Sequence, residues 1–109
     1  MKILVADDHQ VNRRLLRLLL EEEGFQIVEA SDGPQALAAL NTMMEPCVGL
    51  IDWEMPDMEG PEVCRQARRR PAGPPLFLLL VTVRNSREDI VTGLKAGAND
   101  YVVKPFHKD

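Results

Sequence analysis

Five side chains that lie far apart in the chain could act together: the carboxylates of Asp7, Asp8 and Asp52, the hydroxyl of Thr82 and the amine of Lys104. Each follows an apolar run. "KILVA" leads to the Asp7–Asp8 pair, "CVGLI" to Asp52, "PLFLLLV" to Thr82 and "DYVV" to Lys104. Three close carboxylates repel one another and raise each other's pKa unless a cation intervenes. A cluster of hard oxygen donors suits Mg2+, which keeps several waters and accepts a phosphate oxygen. With the cation in place, Asp52 is a candidate nucleophile that could take up a phosphoryl group as an acyl phosphate. Lys104 would neutralise phosphoryl oxygens, and Thr82 could donate a hydrogen bond to one of them.

That chemistry requires elements that deliver all five groups to one edge. The apolar runs at 2–6, 25–30, 47–51, 75–81 and 100–103 read as strands. The run at 75–81 is uniformly apolar, as a central parallel strand should be. Between them lie four amphipathic stretches. The first starts near Gln10 and places Val11, Leu15, Leu18 and Leu19 at helical spacing, with Arg13, Arg14 and Arg17 elsewhere around the wheel, until Gly24 stops it. The second is "SDGPQALAALNTMM", with Ser31 or Asp32 as N-cap, Pro34 in the first turn and Ala36, Leu37, Leu40 and Met44 as its apolar positions. The third runs from about Pro61 to Arg70, before Pro71, and the fourth from Ser86 through Ala96, closed by Gly97. The order βαβαβαβαβ calls for a parallel sheet with right-handed crossovers and helices on both faces. In such sheets functional groups gather outside the carboxyl ends of the strands, where the strand order reverses.

The chain of 109 residues is long enough for one domain, with 45% apolar and 28% charged residues, as in globular proteins. Its net charge of 13 − 17 = −4 argues against direct nucleic-acid binding. Arg65, Arg68, Arg69 and Arg70 form a basic tract that reads as a solvated helix face. Cys47 and Cys64 have no second pair or His cluster nearby for zinc, so they read as reduced, buried thiols of a cytoplasmic protein. The opening "MKILVADD" is unlike a signal peptide, and "LFLLLV" is far shorter than the ~20 residues of a membrane span.

The segments "ADDH" (6–9), "DWEMPDMEG" (52–60), Thr82 after its strand and "GANDYVVKPF" (97–106) together make the chain resemble the receiver domain of bacterial two-component response regulators. The resemblance covers all five strand ends and almost the whole chain, so residues 1–109 are read as one receiver domain. It implies a flavodoxin-like, doubly wound five-stranded parallel sheet of order 2-1-3-4-5. By position, Asp52 resembles the phospho-acceptor, with Thr82 and Lys104 assisting it. Asp7 and Asp8 resemble the acid pair that holds Mg2+ with Asp52, Asp8 being the more direct ligand, and the backbone carbonyl of Glu54 resembles the remaining protein ligand. Thr82 and Tyr101 match the switch pair. The bond from Lys104 to Pro105 is cis in the family. The implied partners are a sensor histidine kinase or phosphotransfer protein and an output domain or effector, without nucleic acid or membrane. The implied activity is limited to the domain's own phosphorylation and dephosphorylation.

Taken singly, these residues have plainer readings. An Asp at a strand end is usually a loop residue or a helix cap, and Asp7 or Asp8 could cap the first helix. Trp53 reads as a cover for its loop, His9 as a surface residue and the methionines as packing. A phosphatase with an aspartyl-phosphate intermediate would use Glu54 as its acid but lacks room for a substrate cap. A flavin module would need a hydroxyl-rich loop where "ADDHQ" stands. A receiver-like docking domain that is never phosphorylated would have lost a site residue, and none is missing.

Three features depart from the family pattern. Val83 is bulky where a small residue is usual, and should crowd Asp52. Glu54 and Arg84 flank the acceptor and the switch, where they are expected to pair across the mouth and impede attacking water. A fifth helix normally follows the last strand, and "KPFHKD" ends where it should begin. One sheet face would then be covered by the first helix alone, leaving an exposed apolar strip. The expectation is a fragment of a longer regulator, or a second copy or other segment, such as a homodimer partner, filling the gap.

Overall fold

The computed structural model describes residues 1–104. The apolar runs form five strands: β1 (Lys2–Ala6), β2 (Gln26–Ala30), β3 (Cys47–Asp52), β4 (Leu76–Thr82) and β5 (Asp100–Val103). They pair in parallel in the order β2-β1-β3-β4-β5. The expected strand order and doubly wound sheet are therefore observed. The helices between them are α1 (Gln10–Glu22), α2 (Gly33–Asn41), α3 (Gly60–Ala67) and α4 (Arg87–Ala96).

Period-two alternation sends the strand side chains to two faces. Leu4, Ile51, Leu78 and Leu80 are fully buried on the face covered by α2, α3 and α4, with Leu40, Val63 and Cys64 opposite them. Local chemistry sets the helix ends. Asp32 caps α2 by accepting from the Gln35 N–H at 2.8 Å, and Ser86 caps α4 by accepting from the Asp89 N–H at 3.1 Å. Gly97, at φ 126°, closes α4.

Several sequence expectations are corrected. α2 ends at Asn41, so Met44 falls outside it and is exposed while Met43 is buried. α3 ends at Ala67, three residues before the expected Arg70. The helix at α1 is present, but Val11, Leu15, Leu18 and Leu19 are all more than half exposed. Arg13, Leu16, Arg17 and Leu20 form the half-buried face instead. The cause lies on β2: Glu29 accepts from Arg13 Nε at 2.7 Å and Arg17 Nη1 at 2.6 Å, which rotates those arginines toward the sheet. These contacts hold the Glu29 carboxyl below its usual range, chiefly through Arg17 and against the effect of burial.

The basic tract is also not simply solvated. Arg68 donates to the carbonyls of Gly97 and Leu76, both at 2.8 Å, and to the Asn99 side chain. Arg70 donates to the Leu40 carbonyl at 3.0 Å and to that of Pro74. Both guanidiniums hold loops at the edge where the strands begin. Cys47 and Cys64 are free and buried, and burial pushes the Cys64 thiol up to about 11. Among the described residues no helix is long and apolar enough to cross a membrane. α1 is the only helix among them on its face of the sheet, and Phe77 there is 47% exposed.

Candidate functional site

Parallel pairing brings the ends of β1, β3 and β4 to one edge. Ala6 stands beside Ile51 and Asp52 beside Val81, so the residues that follow β1 and those that end β3 and β4 are neighbours. Asp7, Asp8 and Asp52 each offer a carboxylate oxygen, all within 4.8 Å of one another. Asp7 and Asp52 are buried and Asp8 is exposed.

Asp7 does not cap α1 in the expected way. Its Oδ1 accepts from the His9 N–H at 2.8 Å, just ahead of the helix, and His9 is the N-cap. Arg13 Nη1 donates to the Asp7 carbonyl at 2.8 Å, tying the acid loop to α1 and β2. Arg13 was missed from the sequence. The available signal was Glu29, an acid inside an otherwise apolar strand that needed a cationic partner.

Asp52 is the last residue of β3, and Lys104 Nζ lies 3.3 Å from its Oδ1. Burial pushes the Asp52 carboxyl up to about 6, with Lys104 opposing the rise and Asp7 and Asp8 adding to it. The Lys104 N–H donates to the Thr82 carbonyl at 2.6 Å, extending the β4–β5 ladder by one bond and bringing the lysine back over β3. The cis form of Lys104–Pro105 concerns residue 105, which lies outside the described residues.

Thr82 is 1% exposed, and its Oγ1 accepts from the Arg84 N–H at 3.0 Å. Tyr101, on β5, donates from Oη to the Arg84 carbonyl at 2.7 Å, and its ring meets Trp53 edge-on with centroids 6.2 Å apart. Trp53 is a core residue as well as a loop cover, being 4% exposed. Gly60 follows from its position: a Cβ there would lie 2.6 Å from the Asp52 carbonyl oxygen and 3.0 Å from the Trp53 Cα.

The Glu54 carboxylate is not one of the three clustered acids and accepts from Arg84 Nε at 2.7 Å. The expected pair across the mouth is therefore present. Val83 is 65% exposed, so its bulk projects into solvent beside the mouth. The donor set of three carboxylates and no nitrogen or sulfur fits a hard divalent ion such as Mg2+.

A sequence profile described as the response regulator receiver domain matches residues 3–109. The chain is 42% identical over 105 residues to the transcriptional regulatory protein ResD of Bacillus subtilis, which covers 96% of this chain and 42% of that protein. It therefore spans less than half of that relative. It is 33% identical over 107 residues to the chemotaxis protein CheY1 of Helicobacter pylori, covering 97% of this chain and 86% of that one. Among solved structures, the receiver domain of the sensor histidine kinase PA1611 of Pseudomonas aeruginosa, described with a magnesium ion coordinated in its active-site cleft, superposes with a TM-score of 0.77. It is 25% identical, over 97% of this chain and 86% of that one.

Proposed function

Because the chain belongs to the response regulator receiver domain family, we propose that it is a phospho-acceptor switch whose acceptor is Asp52. The donor is the phosphohistidine of a sensor histidine kinase or phosphotransfer protein. One observation carries the reading: three acids converge within 4.8 Å, with the Lys104 amine 3.3 Å from the buried Asp52.

Asp7, Asp8, Asp52 and the carbonyl of Glu54 would hold Mg2+. When bound, the ion relieves the repulsion among the acids and polarises phosphoryl oxygens. An Asp52 carboxylate oxygen attacks phosphorus, the P–N bond breaks, and the imidazole leaves with the electron pair. Lys104 offsets charge on the transferred group, and the Thr82 hydroxyl donates to one of its oxygens. Tyr101, bonded through Oη to the Arg84 carbonyl two residues beyond Thr82, passes the change to the surface of α4 and β5. Water later cleaves the acyl phosphate, returning Asp52 and inorganic phosphate.

The chain would act as the receiver part of a longer regulator, and its partners would be the donor protein and an output domain or effector. A fifth helix, or a second copy, would cover the bare face beside α1. For the acceptor, the chain is incubated with acetyl phosphate and Mg2+ and its intact mass is measured. One phosphoryl adduct is expected on the wild-type chain and none on Asp52→Ala. An adduct retained by Asp52→Ala overturns the assignment.

A further inference from the structure

Arg84 lies outside the group of five side chains gathered at the strand ends, yet its backbone touches both residues of the switch pair. Its N–H donates to Thr82 Oγ1 at 3.0 Å, and its carbonyl accepts from Tyr101 Oη at 2.7 Å. Its side chain is held on three sides. The guanidinium donates to Glu54 at 2.7 Å, lies 3.6 Å from Asp89 Oδ1 and stands 4.8 Å from the centre of the Trp53 ring. These anchors belong to the loop after β3, the first turn of α4 and the indole against which Tyr101 packs.

A loop backbone is free to move unless something fixes it. Here the fixing is done by an ion pair, a second carboxylate and a stacked ring, all acting on one guanidinium. A hydroxyl that already accepts one hydrogen bond keeps its own proton for another partner. The bond from Arg84 thus leaves Thr82 with its proton free for an incoming oxygen. Tyr101 is held inward in the same way, over Gly93, where a Cβ would sit 3.4 Å from both the Trp53 and the Tyr101 ring.

We propose that Arg84 is a positioning residue: its anchored side chain fixes the loop after β4, and that loop's backbone presets Tyr101 inward and Thr82 as a donor. The functional consequence rests on the phospho-acceptor reading. A site already ordered loses less freedom when a phosphoryl group arrives, so its apparent affinity rises with the fraction of molecules in the competent arrangement.

The chain contains one tyrosine and one tryptophan. Incorporated fluorotyrosine therefore gives a single 19F resonance from Tyr101, and indole emission reports Trp53 alone. Beryllium fluoride with Mg2+ is the probe for the acyl-phosphate state. In ligand-free Arg84→Ala, the Tyr101 resonance is expected to move toward that of an exposed tyrosine. At saturating Mg2+ its beryllium fluoride affinity should fall about fivefold or more, while the affinity for Mg2+ alone stays at the wild-type value. Arg84→Lys keeps the cation and should recover part of both effects; it also keeps the proposal decidable if Arg84→Ala does not fold. An unmoved Tyr101 resonance in Arg84→Ala, or an unchanged beryllium fluoride affinity, overturns the proposal. A wild-type chain that does not respond to beryllium fluoride overturns the phospho-acceptor reading and the functional half of this one, while the ligand-free spectra still decide whether Arg84 positions Tyr101.

Discussion

Asp52 is an acid whose surroundings oppose its ionisation. Burial raises its carboxyl to about 6, Asp7 and Asp8 add to the rise, and Lys104 only partly offsets it. The sign for stability follows from linkage: a carboxyl with a folded pKa above its unfolded value of about 4 binds its proton more tightly in the folded chain. For this group the metal-free chain should gain stability as pH falls through about 6 toward 4, by at most about 1.4 kcal/mol per pH unit. Asp52→Asn should exceed the wild type in urea denaturation at neutral pH, and the gap should close near pH 4, roughly. A gap that widens on acidification would contradict this. Glu54 and Arg84 carry a second expectation at this scale. If their pair shields the acyl phosphate from water, Glu54→Ala and Arg84→Ala should each speed dephosphorylation roughly threefold or more, read as loss of label over time. Unchanged rates in both would refute the shield.

Among the elements, the strands were the legible part, because each is an apolar run bounded by a charged or turn-forming residue. Asp7, Asp52, Thr82 and Lys104 could be placed at one edge from those boundaries alone. The facing of α1 was not legible. Its apolar stripe at Val11, Leu15, Leu18 and Leu19 has the better helical pattern, but the helix is turned by arginines whose partner, Glu29, lies on another element. Helical period alone carries no information about that partner. The end of α2 was missed for a similar reason: Met43 and Met44 are both apolar, and only packing decides which is buried. The clamp made by Arg68 was hidden because its acceptors are main-chain carbonyls, which leave no mark on composition. Arg68→Ala leaves the Leu76 and Gly97 carbonyls without that donor and should cost about 2 kcal/mol in chemical denaturation. In the loop after β3, Asp57 has φ 69°, a region that favours glycine. Asp57→Gly should relieve at most about 1–2 kcal/mol of that strain, offset in part by the greater freedom of glycine in the unfolded chain, visible as a slightly raised denaturation midpoint if the loop otherwise keeps its contacts.

For the molecule as a whole, the two sheet faces are unequal. Three helices seal one face, whereas on the other Phe77 and the outer leucines of α1 meet solvent among the described residues. Apolar surface of this kind drives association. The 109-residue chain should therefore gain mass with concentration in light scattering, and Leu15→Lys with Leu19→Lys should reduce that gain. A monomer at all concentrations would argue against it. The sheet also divides its labour along the sequence. Every carboxylate of the cluster precedes the Pro- and Gly-containing segment 71–75, and the hydroxyl and the amine follow it, with the β3–β4 ladder, the Arg68 clamp, the Arg84–Glu54 pair and the Lys104–Asp52 contact stitching the halves. A nick in that segment would sort the cation-seating groups from the anion-facing ones onto separate polypeptides. Reconstitution from two fragments would then measure how far each half of the pocket depends on the other.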